Sequence, residues 1–198
     1  GIYRLYMTAS DGSGGGATAS VAIKVDGPPA PVRIKLPLKV YGDGVPQTWA
    51  ASGWMGEHRY LEMDAESTDT AHSGDTSLRF TYKSLGGWVG VAWQHPANDW
   101  GDKAGGFDLT GASKLTFWAR SDKGGGLIDF GVGIIGENKP YHDTLNVTSK
   151  GHKLTREWKQ YTIDLEDEDL SNIKTPFFWT ISGKGREFTF YLDDIRFE

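Results

Sequence analysis

The sequence predicts an all-β fold, a two-sheet antiparallel β-sandwich with an N-terminal β-hairpin. Three observations carry this. Apolar residues alternate with period two in short runs along nearly the whole chain, as in strands with one buried face. Turn residues punctuate the runs, drawn from 27 glycines and 8 prolines in 198 residues. Only residues 166–172 read as a helix candidate, and many short strands without helices bury themselves as two packed sheets.

Residues 1–27 form the first unit. Ile2, Arg4, Tyr6 and Thr8 alternate with Tyr3, Leu5 and Met7, and after a glycine-rich tip Val21, Ile23 and Val25 share one side. This is a hairpin, and a lone hairpin is marginal in water without a surface to pack on. Residues 28–33 follow as a linker, with three prolines in the four positions 28–31 making it stiff and extended. The chain opens inside a strand, as a piece of a larger protein would.

The main domain, 34–198, reads as strands at 38–41, 60–65, 77–83, 87–95, 114–120, 127–135, 157–164, 177–182 and 187–197. Leu78, Phe80 and Tyr82 share one side of their strand; Leu115, Phe117 and Ala119 do so in theirs. Trp179 alternates with Phe177 and Ile181 and goes to the core, and Trp158 to packing, while Trp54 suits the rim of a site or the core equally. In the last strand Phe188, Phe190 and Leu192 change parity to Ile195 and Phe197 across Asp193-Asp194, which predicts a β-bulge.

The stretch 86–106 holds three of the eight tryptophans. Val89, Val91 and Trp93 form a core side; Trp88, Gly90, Ala92 and Gln94 form an unlike side with a ring, a bare glycine and an amide. Two further strands repeat this pattern. One sets Trp118 and Arg120 opposite its apolar side, and the other sets Asp129, Gly131 and Gly133 opposite Ile128, Phe130 and Val132. If these strands are neighbours, Trp88, Gln94, Trp118, Arg120 and Asp129 form one surface on which the glycines leave room for a flat polar ligand. Trp100, Asn98 and Tyr141 join it from loops.

Composition excludes several function classes. Net charge is −5 with no basic block, which argues against non-specific nucleic-acid binding. No apolar run approaches the ~18 residues of a membrane helix. With no cysteine there is no disulfide, thiolate metal site or cysteine nucleophile. The five histidines form no HxxxH pattern, and no GxSxG occurs. Asp99, Asp102 and Asp129 are the only carboxylates placed for a glycosidase-like pair, which needs two acids ~5–9.5 Å apart. The acidic run 166–169 reads as a solvated loop.

Two resemblances add to this. Residues 1–25 resemble the last two strands of a PKD or related immunoglobulin-like module. In the main domain, Asp69-Thr-Ala-His-Ser-Gly-Asp-Thr-Ser-Leu-Arg-Phe80 is similar to an AHSGxxSL turn and strand. Phe107 to Arg120 is similar to DLSGxxxLxFWAR. Glu157-Trp-Lys-Gln-Tyr-Thr-Ile-Asp-Leu165 with Phe190-Tyr-Leu-Asp-Asp-Ile195 is similar to WKxYTIDL…FYLDDI. Together they resemble the galactose-binding-like jelly-roll carbohydrate-binding modules of bacterial glycanases.

That resemblance implies a structural Ca²⁺ held by Asp43, by Ser73 and Asp75 of the HSGxxS loop, and by Asp193 or Asp194. It also implies a non-catalytic, monomeric module of a secreted glycanase. The module would bind a polysaccharide by stacking pyranose rings on tryptophan and hydrogen-bonding their hydroxyls. A flat cleft suits an extended β-glucan. Two other readings stay open on the same fold: a catalytic glycanase or lyase domain, and a structural or docking module.

Overall fold

The computed structural model describes residues 2–24, 30–46, 48–83, 86–183 and 185–198. It divides into two units, 1–30 and 31–198. In the first, β1 (Ile2–Ser10) and β2 (Gly16–Lys24) pair antiparallel from Ile2↔Lys24 to Ser10↔Gly16. Asp11 closes the tip by accepting the Ser13 and Gly15 N–H groups at 2.9 and 3.0 Å. Val25 and most of the expected linker lie outside the described residues. The rest of that linker corrects the boundary: Val32–Arg33 is a short strand, β3, paired in parallel with Phe107–Asp108 of the main unit.

The remaining strands are β4 (Leu38–Tyr41), β5 (Ala50–Gly56), β6 (Leu61–Ser67), β7 (Ser77–Lys83) and β8 (Trp88–Gln94). After β9 (Phe107–Asp108) come β10 (Lys114–Ser121), β11 (Gly125–Val132), β12 (Val147–Leu154), β13 (Lys159–Asp164), β14 (Phe178–Ser182) and β15 (Glu187–Phe197). Among the described residues the only helix is a single 3₁₀ turn, His58–Tyr60. The helix expected at 166–172 is instead a turn and extended chain. Asp164 and Asp169 draw its backbone N–H groups into local side-chain bonds that compete with a helix.

A six-stranded sheet in the order β13-β10-β15-β7-β6, with β4 also on β15, faces a five-stranded sheet in the order β12-β11-β14-β8-β5. The long β15 makes this possible. Its first half pairs β7 and its last residues pair β4, while β10 runs along its other side. The predicted bulge is present: register shifts opposite Asp193–Asp194, and Asp194 sits at φ 47°.

The core fills the space between the sheets. Phe80, Phe117, Phe130, Phe177, Phe190 and Trp179 are fully enclosed. Trp179 meets Phe80 and Phe190 edge-on, with centroids 4.9 and 4.8 Å apart, the geometry their quadrupoles favour. Val89, Val91 and Trp93 point into this layer as alternation requires.

Candidate functional site

The expected surface does not form as one piece. β8 and β11 belong to the five-stranded sheet, with β14 between them, but β10 belongs to the other sheet. Trp118 and Arg120 therefore stand on the opposite side of the sandwich from Trp88 and Asp129. There the His72 ring stacks on Trp118, centroids 3.7 Å apart and planes 13° from parallel. Arg120 and the Trp158 indole N–H both donate to Thr70 Oγ1, at 3.2 and 3.3 Å. The loop around 70–73 thus covers these rings, and Trp158 packs as expected.

Gln94 is a second correction. It is 1% exposed, its amide donating to the Asp99 carbonyl at 2.9 Å and accepting from Ser52 Oγ at 3.0 Å. It cannot meet a ligand, because the loop after β8 closes over it. That loop is fastened by Asp99, which accepts the N–H groups of Gly101, Asp102 and Lys103 at 3.1–3.2 Å and the Lys174 ammonium at 2.5 Å. Burial pushes the Asp99 pKa up, but Lys174 and the N–H groups outweigh it, and the net shift is downward.

Asn98, exposed and at φ 56°, ties in through its N–H to Ser52 Oγ. Tyr141 joins through its N–H to the Gly101 carbonyl at 3.1 Å, with Lys174 5.7 Å from its ring centre. Trp100 is half-buried beside them. These loop residues cluster at the Gln94 end of β8. Trp88 is at the other end, about 20 Å away at ~3.3 Å per residue. Asp102 pairs with Lys139 at 2.9 Å, so Asp99 and Asp102 are both engaged by lysines and form no acid–base pair.

What remains is the outer face of the five-stranded sheet. Register sets Asp129, Thr180, Gly90 and Met55 side by side across β11, β14, β8 and β5. Trp88, 47% exposed, lies two positions along β8 and is paired with Ser182. The glycines do not leave room where the pattern suggests. A Cβ on Gly131 would strike the Phe178 ring at 2.3 Å, and one on Gly133 the Leu145 carbonyl at 2.1 Å. At Gly90 the space is taken by the Met55 and Thr180 methyls, each 2.8 Å from where a Cβ would stand. The result is a smooth apolar floor with an indole at one side and a carboxylate at the other. Asp129 Oδ1 accepts the Gly151 N–H at 2.7 Å. Among the described residues Asp129 Oδ2 and the Thr180 hydroxyl are unpartnered and able to meet hydroxyl groups.

Met55 and Thr180 were not among the expected contacts. Thr180 was readable as the residue opposite in parity to Trp179. Met55 was not, because β5 carries a bulge between Ala51 and Gly53 that breaks its alternation. Trp54 is 38% exposed and pairs with Val91, so it lies on the side of β5 away from Met55.

The residues expected to hold calcium do gather at one corner. Asp43 accepts the Asp75 N–H at 2.9 Å and the Thr76 hydroxyl at 2.6 Å. Asp193, 1% exposed, accepts the His72 and Ser73 N–H groups. Asp194 accepts His72 Nδ1 at 2.9 Å and Ser73 Oγ at 2.7 Å, with Lys39 at 3.7 Å. Burial raises the Asp193 pKa. On Asp194 burial acts the same way, but His72, Ser73 and Lys39 outweigh it and lower the net value. Ca²⁺ takes 6–8 oxygens. Here the carboxylates are met by protein donors, and among the described residues no three His, Asp or Glu side chains converge on a point. As arranged, this donor set does not fit the ion.

Comparison with known proteins decides the family. The family description carbohydrate binding domain 30 (CBM30) matches residues 37–198. The chain belongs to this family. It is a non-catalytic carbohydrate-binding module, and the resemblance read from its motifs holds for the main domain.

Among solved structures, the family 30 carbohydrate-binding module of a cellulosomal cellulase of Clostridium thermocellum aligns with TM-score 0.60 at 18% identity, covering 83% of this chain and 98% of its own. A β-sandwich carbohydrate-binding module structure described for promiscuous specificity aligns with TM-score 0.58 at 17% identity, over 100% of this chain and 74% of its own. The family 11 module from Clostridium thermocellum, in complex with a β-1,3-1,4-mixed-linked tetrasaccharide, gives TM-score 0.51 at 16% identity, over 81% and 94%. No curated protein matches the chain.

Proposed function

We propose that this family 30 module binds an extended β-glucan across the outer face of its five-stranded sheet and so holds an attached, secreted glycanase on its substrate. The observation that carries the reading is the exposed Trp88 indole beside the level row of Met55, Thr180 and Asp129. The C–H face of a glucose ring stacks on an indole, and a smooth floor of methyl groups accepts the flat chain. Asp129 and Thr180 accept and donate at the equatorial hydroxyls. The module acts as a monomer, and its service to catalysis is to raise the local concentration of enzyme on the polysaccharide. The mixed-linkage tetrasaccharide held by the family 11 relative supports the choice of glycan.

Affinity electrophoresis on soluble glycans, with reducing-sugar release assayed on the same panel, tests the proposal. Retardation by β-glucan without release is expected; no retardation by any β-glucan would overturn it.

A further inference from the structure

The face just described runs, at Asp129 and Thr180, into a cavity whose far side the proposed glycan contacts leave unused. β11 and β14 are paired as far as Ile128↔Ile181, yet β11 begins at Gly125 and β14 runs on to Ser182. Beyond that pair the strands part, and a cavity of about 350 Å³ occupies the fork. Its floor is aromatic, formed by Phe188 of the opposite sheet with the buried Tyr82 beside it. Gly126, at φ 72°, lets the backbone of β11 lie directly against the Phe188 ring at the cavity wall, since a Cβ there would stand 2.4 Å from that ring.

The charges around the opening are unusual for this chain. Lys150 and Arg186 both line it, both are exposed, and among the described residues neither has an ion-pair partner. The protein as a whole carries a net charge of −5. The one lining carboxylate is Asp129, at the edge shared with the Trp88 face, and its Oδ1 is held by the Gly151 N–H. Ligand sites run from ~300 to ~1,000 Å³, so this cavity is sized for a single sugar unit rather than a chain.

We infer that this cavity takes a carboxylate-bearing sugar unit, a uronic acid or a glucose oxidised at C6, at the end or on a branch of the glycan that crosses Trp88. The inference rests on the proposed glycan face for the backbone of that ligand. The sugar ring sits over Phe188. Its carboxylate meets the planar guanidinium of Arg186, which offers paired N–H donors, and the Lys150 ammonium.

The test compares a soluble mixed-linkage β-glucan with the same glucan partly oxidised at C6 to carboxylates, by titration calorimetry on the whole chain. The oxidised glucan is expected to bind roughly fivefold tighter at low ionic strength. That gain disappears in about 0.5 M salt, where screening is nearly complete. It also disappears in Lys150→Ala/Arg186→Ala, which keeps the parental affinity for the unoxidised glucan. No gain, or a gain the double variant retains, overturns the inference.

A second arm is independent of the backbone reading. Methyl β-glucuronide, but not methyl β-glucoside, is expected to shift the amide resonances of Gly126, Gly151 and Gly183. Equal or absent shifts sink the pocket assignment. If neither glucan binds at all, it is the glycan face that fails, and the glucuronide arm alone decides the cavity.

Discussion

Trp118 and His72 stack with ring centroids 3.7 Å apart, so the indole that alternation offers as a ligand platform is already covered from within the chain. The same loop that brings His72 onto Trp118 carries Ser73 to Asp194 and Thr70 to Arg120. The outer face of the six-stranded sheet is therefore packed around Trp118 and Arg120. Trp118→Ala is expected to lose about 2 kcal/mol of stability, less than a fully buried tryptophan would. That lowers Tm by roughly 5 °C in a domain of this size. Retardation by β-glucan is expected to stay unchanged, and loss of binding in a folded Trp118→Ala protein would move the site to this sheet.

Trp88 should behave in the opposite way. Its indole is nearly half exposed and contributes little to the core. Trp88→Ala is expected to weaken β-glucan binding by ~2 kcal/mol, roughly thirtyfold, as for a central aromatic contact. Its thermal midpoint should move little. Unchanged affinity, measured by calorimetry, would show that the chain does not stack there.

The Asp99–Lys174 pair is buried on both sides, with Lys174 at 0% and Asp99 at 3% side-chain exposure. Removing one partner leaves an uncompensated charge in the interior. Asp99→Ala is expected to cost ~3–5 kcal/mol, and replacing both by apolar residues of similar size should cost much less. Denaturant titration distinguishes the two. A single variant as stable as the parent would mean that water reaches the pair.

Acid stability follows from groups held off their ordinary values. His95 accepts the Gly106 N–H at Nδ1, which requires the neutral ring. Burial, then the Lys174 charge, lowers its pKa. His152 is lowered first by burial and then by Lys159, against an opposing pull from Asp129. Both contributions are complete above the unfolded histidine pKa of about 6.5 and are lost as pH falls through the lower folded values. Asp99, with its net lowered pKa, adds a second decline below about pH 4. Tm measured from pH 8 downward should fall in these two stages. His95→Asn/His152→Asn should flatten the first stage, and an unaltered slope there would assign it to other groups.

Metal removal tests the corner at Asp43, Asp193 and Asp194. Their carboxylates are met by N–H, hydroxyl, imidazole and ammonium donors. EDTA is therefore expected to leave Tm unchanged. A clear drop, restored by added Ca²⁺, would mean that the 72–76 loop rearranges around an ion as the family resemblance implies.

The sequence by itself determined the fold class, the hairpin at the N-terminus, the inward residues of β7, β8, β10, β11 and β15, and the bulge at Asp193–Asp194. These depend on period-two alternation and on local breaks in it, which neighbouring residues carry. It missed β5, β12 and the two-residue strands β3 and β9, which are too short to show alternation. The registers of β5 and β12 are interrupted: β5 is bulged near Ser52, and β12 slips against β11 near Gly151. Only the tertiary structure decided which outward faces share a sheet. Alternation assigns a residue to one side of its own strand, but strands adjacent in sequence can enter different sheets. That is why Trp88 and Asp129 stand across β14 on one face, while Trp118 and Arg120 lie on the other beneath His72 and Thr70. Burial of Gln94 was likewise beyond local reading, because the loop that covers it is held by Lys174, a residue distant in sequence and adjacent only in the fold.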